Sequence, residues 1–144
     1  MELPEIKISY KGGRSSSHHV KSAQESYGVL REIFDADTLE WKEESILLCL
    51  NSAHRLLGYY KISSGGMSGT VMDPRIIYTV ALSAGATAII VSHNHPSGSL
   101  TPSIADQEIT NKLKDAGKLL DIKFLDHIIV TQESFFSFAE NNLL

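Results

Sequence analysis

The sequence has almost no cysteine, no long hydrophobic run and no excess of basic residues. Cys49 is the single cysteine among 144 residues, which excludes an internal disulfide framework and a zinc site with cysteine ligands of the deaminase type. No apolar run approaches the roughly 18 residues of a membrane-spanning helix, and the amino terminus lacks the apolar core of a signal peptide. We therefore expect a cytoplasmic protein without a membrane segment.

The net charge of −4, from 13 basic and 17 acidic side chains, argues against nucleic-acid binding by the whole surface, because such binding requires a basic footprint. One segment differs from this average. Residues 6–24 contain no acidic side chain but include Lys7, Lys11, Arg14 and Lys21. These charges could contact phosphate, although dispersed charges in a Gly/Ser-rich arm are more typical of a solvated tail. DNA contact stays open, without support from the net charge.

Length and composition predict one globular domain. A chain of 144 residues can bury roughly two thirds of its unfolded surface. Its content of 42% hydrophobic and 21% charged residues is ordinary for such a domain. We expect residues 1–21 to form an arm, with a short strand over residues 2–10 and a flexible loop over residues 11–19. Residues 22–144 then form the domain.

Helical and strand patterns that follow one another predict an α/β fold. Ser22 begins a capping-box pattern that opens a helix to about residue 35. The apolar run from Glu43 to Asn51 predicts a strand buried on both faces. The remaining expected elements are a returning strand at 55–62, a Gly/Ser-rich flap at 63–70, a helix from Asp73-Pro74 to a stop at Gly85, a central strand at 86–92, a helix at 102–119 and strand segments at 122–125 and 128–130.

The most specific feature is the run SHNHPSGSLTPSIAD, from Ser92 to Asp106. His93 and His95 are two residues apart, so both imidazoles of an extended segment point to the same side and can bind one metal ion. Together with the Asp106 carboxylate they leave a fourth tetrahedral position for water, as a catalytic zinc requires. With 6 His, 18 Ser and 7 Asp in the chain, this spacing is expected by chance on the order of 0.002 times.

The loop after the histidines leads into a helix. Thr101 and Pro102 predict its N-cap and first residue, which places Ser103 and Asp106 three apart on one face of the first turn. Asp106 could serve the helix dipole alone, an effect of about 0.3–1 kcal/mol. A structural zinc site contributes about 10–16 kcal/mol, so metal ligation would be the dominant role.

This spacing, H-x-H-P and then S-x-x-D after seven residues from His95, resembles the JAMM metal-binding motif of the JAB/MPN metallopeptidases. The run from Ser92 to Val130 is similar to the RadC-like branch of that family, whose members are linked by name to DNA repair. The resemblance covers about residues 27–144. It implies a single three-layer α-β-α domain with a mixed β-sheet, of the JAB/MPN, cytidine-deaminase-like type. Many members carry a helix-hairpin-helix segment ahead of this domain, whereas we expect the JAB domain only.

The resemblance also implies the chemistry. His93, His95 and Asp106 would bind one Zn²⁺ per chain, and zinc-activated water would attack a peptide or isopeptide bond. A glutamate just before the first core strand would take and return the proton, and the position that matches is Glu43. The serine that matches, Ser103, would stabilise the tetrahedral oxyanion through its hydroxyl group.

Two assignments stay open at the level of sequence. Glu44 would face the opposite side of the sheet from Glu43, and Glu40 lies one short loop away. All three glutamates could also be exposed polar flanks. Asp126 and His127 resemble a recurrent pair of the RadC-like branch, and either support of a metal ligand or a purely structural histidine accounts for them.

Two other classes of function also stay open. One is a DNA repair or processing factor whose metal site cleaves phosphodiesters or is structural, and the other is a metal-bearing scaffold whose partners bind along a sheet edge. A single set of ligands does not suit a two-metal nuclease. An open three-ligand site with an adjacent carboxylate is the catalytic pattern, not the closed structural one. The substrate and the oligomeric state do not follow from the sequence.

Overall fold

A five-stranded mixed sheet forms the centre of the protein. The structure is a computed structural model that describes residues 1–11, 18–65 and 72–144. In chain order its elements are α1 (Ala23–Ile33), β1 (Glu44–Leu50), β2 (Leu56–Ser64), α2 (Pro74–Ser83), β3 (Ala88–Asn94), α3 (Ile104–Leu120), β4 (Lys123–Val130) and β5 (Phe135–Ser137). The strand order is β2-β1-β3-β4-β5. The β3–β4 pair is parallel, and the other three neighbouring pairs are antiparallel.

Apolar side chains cover the two faces of the sheet in two separate clusters. On one face Leu30 of α1 packs in the cluster that contains Ile90. On the other face Ile77 of α2 and Leu113 of α3 pack in the cluster that contains Val91. Strands β1 and β3 are buried along their whole length, in line with the apolar runs 46–50 and 88–91 that they contain. The predicted α/β fold of three α-β-α layers is therefore confirmed.

The helix starts follow from local chemistry. The hydroxyl oxygen of Ser22 accepts the backbone N–H of Glu25 at 3.1 Å and caps α1. Asp73 caps α2 in the same way, and Pro74 is the first residue of that helix. The chain leaves α2 through Gly85, whose φ of 68° is readily adopted only by glycine. The predicted N-caps and the stop at Gly85 are confirmed. The capping box predicted at Ser22 is not reciprocal, because the Glu25 carboxylate accepts the N–H of Lys21 in place of that of Ser22.

The predicted start of α3 was wrong. Ser103 is the N-cap, in place of Thr101, and Ile104 is the first helical residue, in place of Pro102. The reason is a reciprocal capping box, in which Ser103 and Asp106 each accept the backbone N–H of the other. This box satisfies two N–H groups at the helix start. The side chain of Ile104 is exposed.

The short strand predicted over residues 2–10 was also wrong, since residues 1–11 contain no helix or strand. Alternating apolar residues form a strand only with a paired backbone, and the contact made here is by a side chain, from the Tyr10 hydroxyl to the Leu57 carbonyl. The loops predicted at 11–19 and 63–70 lie partly outside the described residues. None of the helices in the described ranges is long and apolar enough to cross a bilayer.

The topology brings three chain segments to one end of the sheet. Ser45, at the start of β1, pairs with His93, near the end of β3. The segment that precedes β1 therefore lies beside the segment that follows β3, and the first turn of α3 comes next in the chain. The two segments predicted at 122–125 and 128–130 form one continuous strand, β4, which is the parallel neighbour of β3.

Close packing of α3 leaves no room for a side chain at Gly117. A methyl group there would lie 2.5 Å from the carbonyl oxygen of Ile122 and 2.8 Å from the hydroxyl oxygen of Tyr78. We expect Gly117→Ala to lower the free energy of unfolding by about 1–3 kcal/mol. The control is Gly28→Ala in α1, where no heavy atom lies within 4 Å of the added carbon, and this change should stabilise by about 0.5–1 kcal/mol. Urea unfolding measures both, and similar effects of the two variants would contradict the packing argument.

Candidate metal centre

Four titratable side chains converge where β3 ends. The Nε2 atoms of His93 and His95 are 2.9 Å apart. Asp106 contacts both rings, with Oδ1 3.4 Å from His93 Nε2 and Oδ2 3.4 Å from His95 Nε2. Glu43 approaches from the segment before β1, and its Oε1 is 3.7 Å from His93 Nε2. Two nitrogens and two carboxylates thus surround one small space.

This space is open to solvent on one side. The His93 side chain is only 1% exposed, whereas those of Glu43, His95 and Asp106 are 13%, 15% and 17% exposed. His93 is therefore the most deeply buried residue of the cluster, and the other three side chains are partly exposed. An ion or a small group can enter without displacing the apolar core.

A chain of hydrogen bonds determines which nitrogen of His93 carries the proton. The Thr110 hydroxyl donates to the backbone carbonyl of Asp106 at 2.7 Å, so its oxygen accepts from His127 Nδ1–H at 2.6 Å. Burial lowers the pKa of His127 well below its usual value, so the ring is neutral and its Nε2 is an acceptor. That atom lies 2.7 Å from His93 Nδ1, which must be the donor. His93 Nε2 therefore presents a lone pair to the cluster.

His95 presents a lone pair for a simpler reason. Its Nδ1 lies 2.8 Å from the carbonyl oxygen of Ser99, and because a carbonyl can only accept, Nδ1 carries the hydrogen. The two Nε2 lone pairs of His93 and His95 thus face each other at 2.9 Å. Two lone pairs at this distance repel unless a proton or a metal ion lies between them. The geometry calls for a cation.

The ionisation of the cluster agrees with this requirement. Burial acts to raise the pKa of Asp106, but the imidazoles of His93 and His95 beside its carboxylate outweigh this effect and hold the pKa well below the usual range. Burial acts to lower the pKa of His95, but Asp106 and Ser99 raise it by more. Burial raises the pKa of Glu43, against the opposing effect of the two histidines. A negative Asp106 beside two imidazoles favours positive charge at this point.

The distances fit a divalent metal ion. With Zn–N bonds of about 2.0–2.1 Å in a tetrahedron, neighbouring ligand atoms are separated by about 3.3–3.4 Å. The Asp106 oxygens are each 3.4 Å from a histidine nitrogen, and the two nitrogens need to separate by only a few tenths of an ångström. The ligand atoms of Glu43, His93 and His95 also lie within 4.8 Å of one another. Imidazole nitrogen and carboxylate oxygen are ligand types that zinc accepts.

The three glutamates near the start of β1 lie in different places. Glu43 faces the two histidines. The Glu44 side chain is nearly buried on the other side, with Lys42 and Lys61 at 3.5 and 3.7 Å. Glu40 is exposed and lines a separate cavity of about 200 Å³ that His95 borders. Of the three, Glu43 is the one whose carboxylate reaches the cluster.

Ser103 contacts the cluster through Asp106. Its hydroxyl oxygen accepts the Asp106 backbone N–H at 3.0 Å, and its own N–H donates to Asp106 Oδ2 at 2.8 Å. Ser103 therefore orients the carboxylate that contacts both histidines. The hydroxyl hydrogen takes no part in these two bonds. The expected role of Ser103 at an oxyanion stays a prediction.

Asp126 and His127 are neighbours in the chain but have different surroundings. His127 is fully buried, contacts His93 and stacks on Phe138 with ring centroids 4.5 Å apart. Asp126 instead accepts hydrogen bonds from the Ser137 hydroxyl and the Ala139 N–H. His127 thus contacts a candidate ligand, while Asp126 holds the turn after β5.

Sequence reasoning did not identify Thr110 or Asn94. Thr110 follows Asp106 by four residues, and a threonine at this spacing can bond back to the carbonyl of the earlier residue. Only the fold places it beside His127. Asn94 stands between the two histidines in the chain, and its side chain bonds the Glu44 N–H and two carbonyls of the segment that precedes Glu43.

A family model described as RadC-like JAB domain matches residues 20–143. The chain belongs to the RadC-like JAB domain family. The resemblance inferred from the histidine motif is thereby confirmed, and the fold agrees with it.

Several curated proteins are similar to this RadC-like JAB domain. The UPF0758 protein of Flavobacterium johnsoniae is 44% identical over 101 residues, which are 70% of this chain and 44% of that protein. The UPF0758 protein of Chlorobium phaeovibrioides is 33% identical over 138 residues, or 96% and 60% of the two chains. UPF0758 protein YfjY of Escherichia coli is 43% identical over 103 residues, or 72% and 64%. The chain spans about half the length of the curated relatives it matches.

Removal of the Thr110 hydroxyl should weaken the metal site. Without it the His127 ring can donate from Nε2 to His93, which moves the proton of His93 onto its own Nε2 and removes the lone pair. We expect Thr110→Val to lower zinc affinity by about 10–100-fold, measured by competition with a chromophoric chelator. The control is Thr79→Val, which loses a similar bond to the Arg75 carbonyl in the exposed part of α2. Equal zinc affinities of the two variants would contradict the proposed proton arrangement.

Proposed function

We propose that this RadC-like JAB domain is a zinc-dependent hydrolase of peptide or isopeptide bonds. The observation that carries the proposal is the opposed pair of Nε2 lone pairs of His93 and His95, 2.9 Å apart, with Asp106 3.4 Å from each. A proton shared by the two histidines would also relieve their repulsion, and Asp106 would stabilise its charge. The convergence of four metal-ligating groups on one partly exposed space favours a metal ion. A metal ion with an open coordination position accounts for all four groups.

His93, His95 and Asp106 are the residues that would hold the ion. When bound, zinc polarises a carbonyl oxygen and lowers the pKa of a water molecule to about 7. The hydrogen bonds on both Nδ1 atoms direct the Nε2 lone pairs into the site before any ion arrives. The Ser103 backbone does the same for the Asp106 carboxylate. The ligands are thus preorganised by their neighbours.

Glu43 is suited to the role of general base. Its Oε1 lies 3.7 Å from His93 Nε2, against 3.4 Å for Asp106 Oδ1, so its carboxylate would be within reach of a water molecule bound beside the ligands. Burial raises the pKa of Glu43, which makes the carboxylate a stronger base towards water. Ser103 lies next to Asp106 at the rim, from where its hydroxyl would donate to the developing oxyanion.

The metal site can be tested by elemental analysis of the purified protein. We expect about one zinc per chain in the wild type, and loss of that zinc in His95→Ala and in Asp106→Ala, because each change removes one of three ligands. Ser99→Ala is the control, since its backbone carbonyl still accepts from His95. A wild-type protein that binds no metal after zinc is supplied would refute the proposal of a zinc-dependent hydrolase.

The role of Glu43 as general base can be tested by comparing its substitution with the same substitution at the neighbouring Glu44. We expect Glu43→Gln to retain zinc but to lose about 10²–10⁴ in the rate of peptide or isopeptide hydrolysis. Glu44→Gln changes the neighbouring carboxylate, which faces Lys42 and Lys61, and should keep the rate within a few-fold of wild type. The assay is a library of peptide and isopeptide substrates incubated with the zinc-loaded protein. Equal loss in the two variants would argue against Glu43 as the base.

The alternative is a DNA repair accessory or binding module with a metal site that is not peptidolytic. The basic segment considered for DNA contact has exposed Lys7, Lys11 and Lys21, but Arg14 lies outside the described residues. Nothing in the described ranges favours a nucleic-acid surface over a solvated one. The alternative would be supported if the protein binds zinc, shows no amide hydrolysis that depends on Glu43, and binds short DNA duplexes.

A further inference from the structure

Asn94 lies where the β1–β3 ladder ends. The last backbone pair of the two strands is Ser45 with His93. One residue farther on, the Glu44 N–H donates to the side-chain Oδ1 of Asn94 at 2.7 Å. The carboxamide of Asn94 thus accepts the N–H of the residue that directly follows Glu43.

The side-chain nitrogen of Asn94 binds the segment that precedes Glu43. Asn94 Nδ2 donates to the carbonyl of Leu39 at 2.7 Å and to the carbonyl of Lys42 at 2.9 Å. Glu43 therefore stands between two residues whose backbones are both bonded to Asn94. Its own carbonyl accepts the N–H of Gly65 at 2.9 Å, which secures the segment from the other side.

Only a carboxamide can make this set of bonds. The partners are one N–H and two carbonyl oxygens, so the side chain must supply one acceptor and two donors. The same partners establish which amide atom is oxygen and which is nitrogen. Asn94 is only 1% exposed, so water cannot substitute for a missing partner without rearrangement. Aspartate would have the right shape but no donors.

Alternation along the strand separates Asn94 from the metal ligands. His93 and Asn94 are successive strand residues and point to opposite faces of the sheet, so Asn94 does not face the metal. The three consecutive residues His93, Asn94 and His95 thus connect the ligands with the segment that bears the base. We propose that Asn94 is a positioning residue that sets the place of Glu43 relative to the metal site; this inference rests on the proposed function.

The test compares variants on one face of β3. Asn94→Ser removes all three bonds, and Asn94→Asp keeps the volume and the acceptor but loses both donors. Ser92→Ala is the matched control, because Ser92 is also fully buried on that strand face. Within the described ranges its Oγ has no hydrogen-bond partner, so the change removes no bond. If Asn94→Ser does not fold, Asn94→Asp, which keeps the acceptor for Glu44 but loses both donors, takes its place in the Co²⁺ measurement described below.

The first measurement is amide hydrogen exchange, which requires neither metal nor substrate. We expect the Glu44 amide to exchange about tenfold faster in Asn94→Ser than in the wild type, because its acceptor is gone. The amide of Leu47, inside the β1–β3 ladder, should be unchanged, as should both amides in Ser92→Ala. Unchanged protection of Glu44 in Asn94→Ser would overturn the positioning role.

The second measurement is Co²⁺ binding, followed by competition and by the visible spectrum. Glu43→Gln should lower Co²⁺ affinity about tenfold and alter the spectrum, because a carboxylate near the ion is lost. Asn94→Ser should produce the same change, and the Glu43→Gln/Asn94→Ser double variant should show nothing further. Additive losses in the double variant, or a Glu43→Gln protein with wild-type Co²⁺ properties, would overturn the inference. A metal-free wild type would instead refute the proposed function, and hydrogen exchange would still decide the contacts of Asn94.

Discussion

Two imidazole lone pairs held against each other are the constraint on which the rest of the site depends. Each arises because the Nδ1 hydrogen of its ring is already bonded, by His127 for His93 and by the Ser99 carbonyl for His95. Neutral imidazoles so oriented repel at 2.9 Å. A proton or a metal ion between the two nitrogens would relieve this repulsion, and the negatively charged Asp106 carboxylate beside both rings would favour either. Removal of any of these partners would change what the others can do.

The surrounding fold supplies these partners from separate elements. The central strand β3 provides the first histidine, the capped first turn of α3 provides Asp106, and the segment before β1 provides Glu43. Hydrogen bonds join these elements: Thr110 and His127 connect α3 and β4 to His93, a candidate ligand. The sheet lies between two apolar layers, whose burial stabilises an arrangement that four titratable groups alone would not.

Much of the fold could be predicted because it depends on neighbours in the chain. Helix caps at Ser22 and Asp73 involve residues two or three apart, and the buried strands carry their own apolar pattern. The errors arose where two local signals competed. At the start of α3 the Thr-Pro pair suggested an N-cap at Thr101. The helix begins instead at the reciprocal capping box of Ser103 and Asp106, which satisfies two backbone N–H groups. Over residues 2–10 the alternating pattern had no partner strand to pair with.

The sequence by itself determined the spacing of His93, His95 and Asp106, because strand alternation and a helix start place residues two and eleven apart by local geometry. It also determined the family. Only the tertiary structure decided which glutamate reaches the cluster, how His127 contacts His93 and how Asn94 bonds the backbone on either side of Glu43. These contacts join residues 34 to 55 apart in the chain, and they depend on the register of β1 and β4 against β3. Register results from the packing of the whole sheet, which no short pattern encodes.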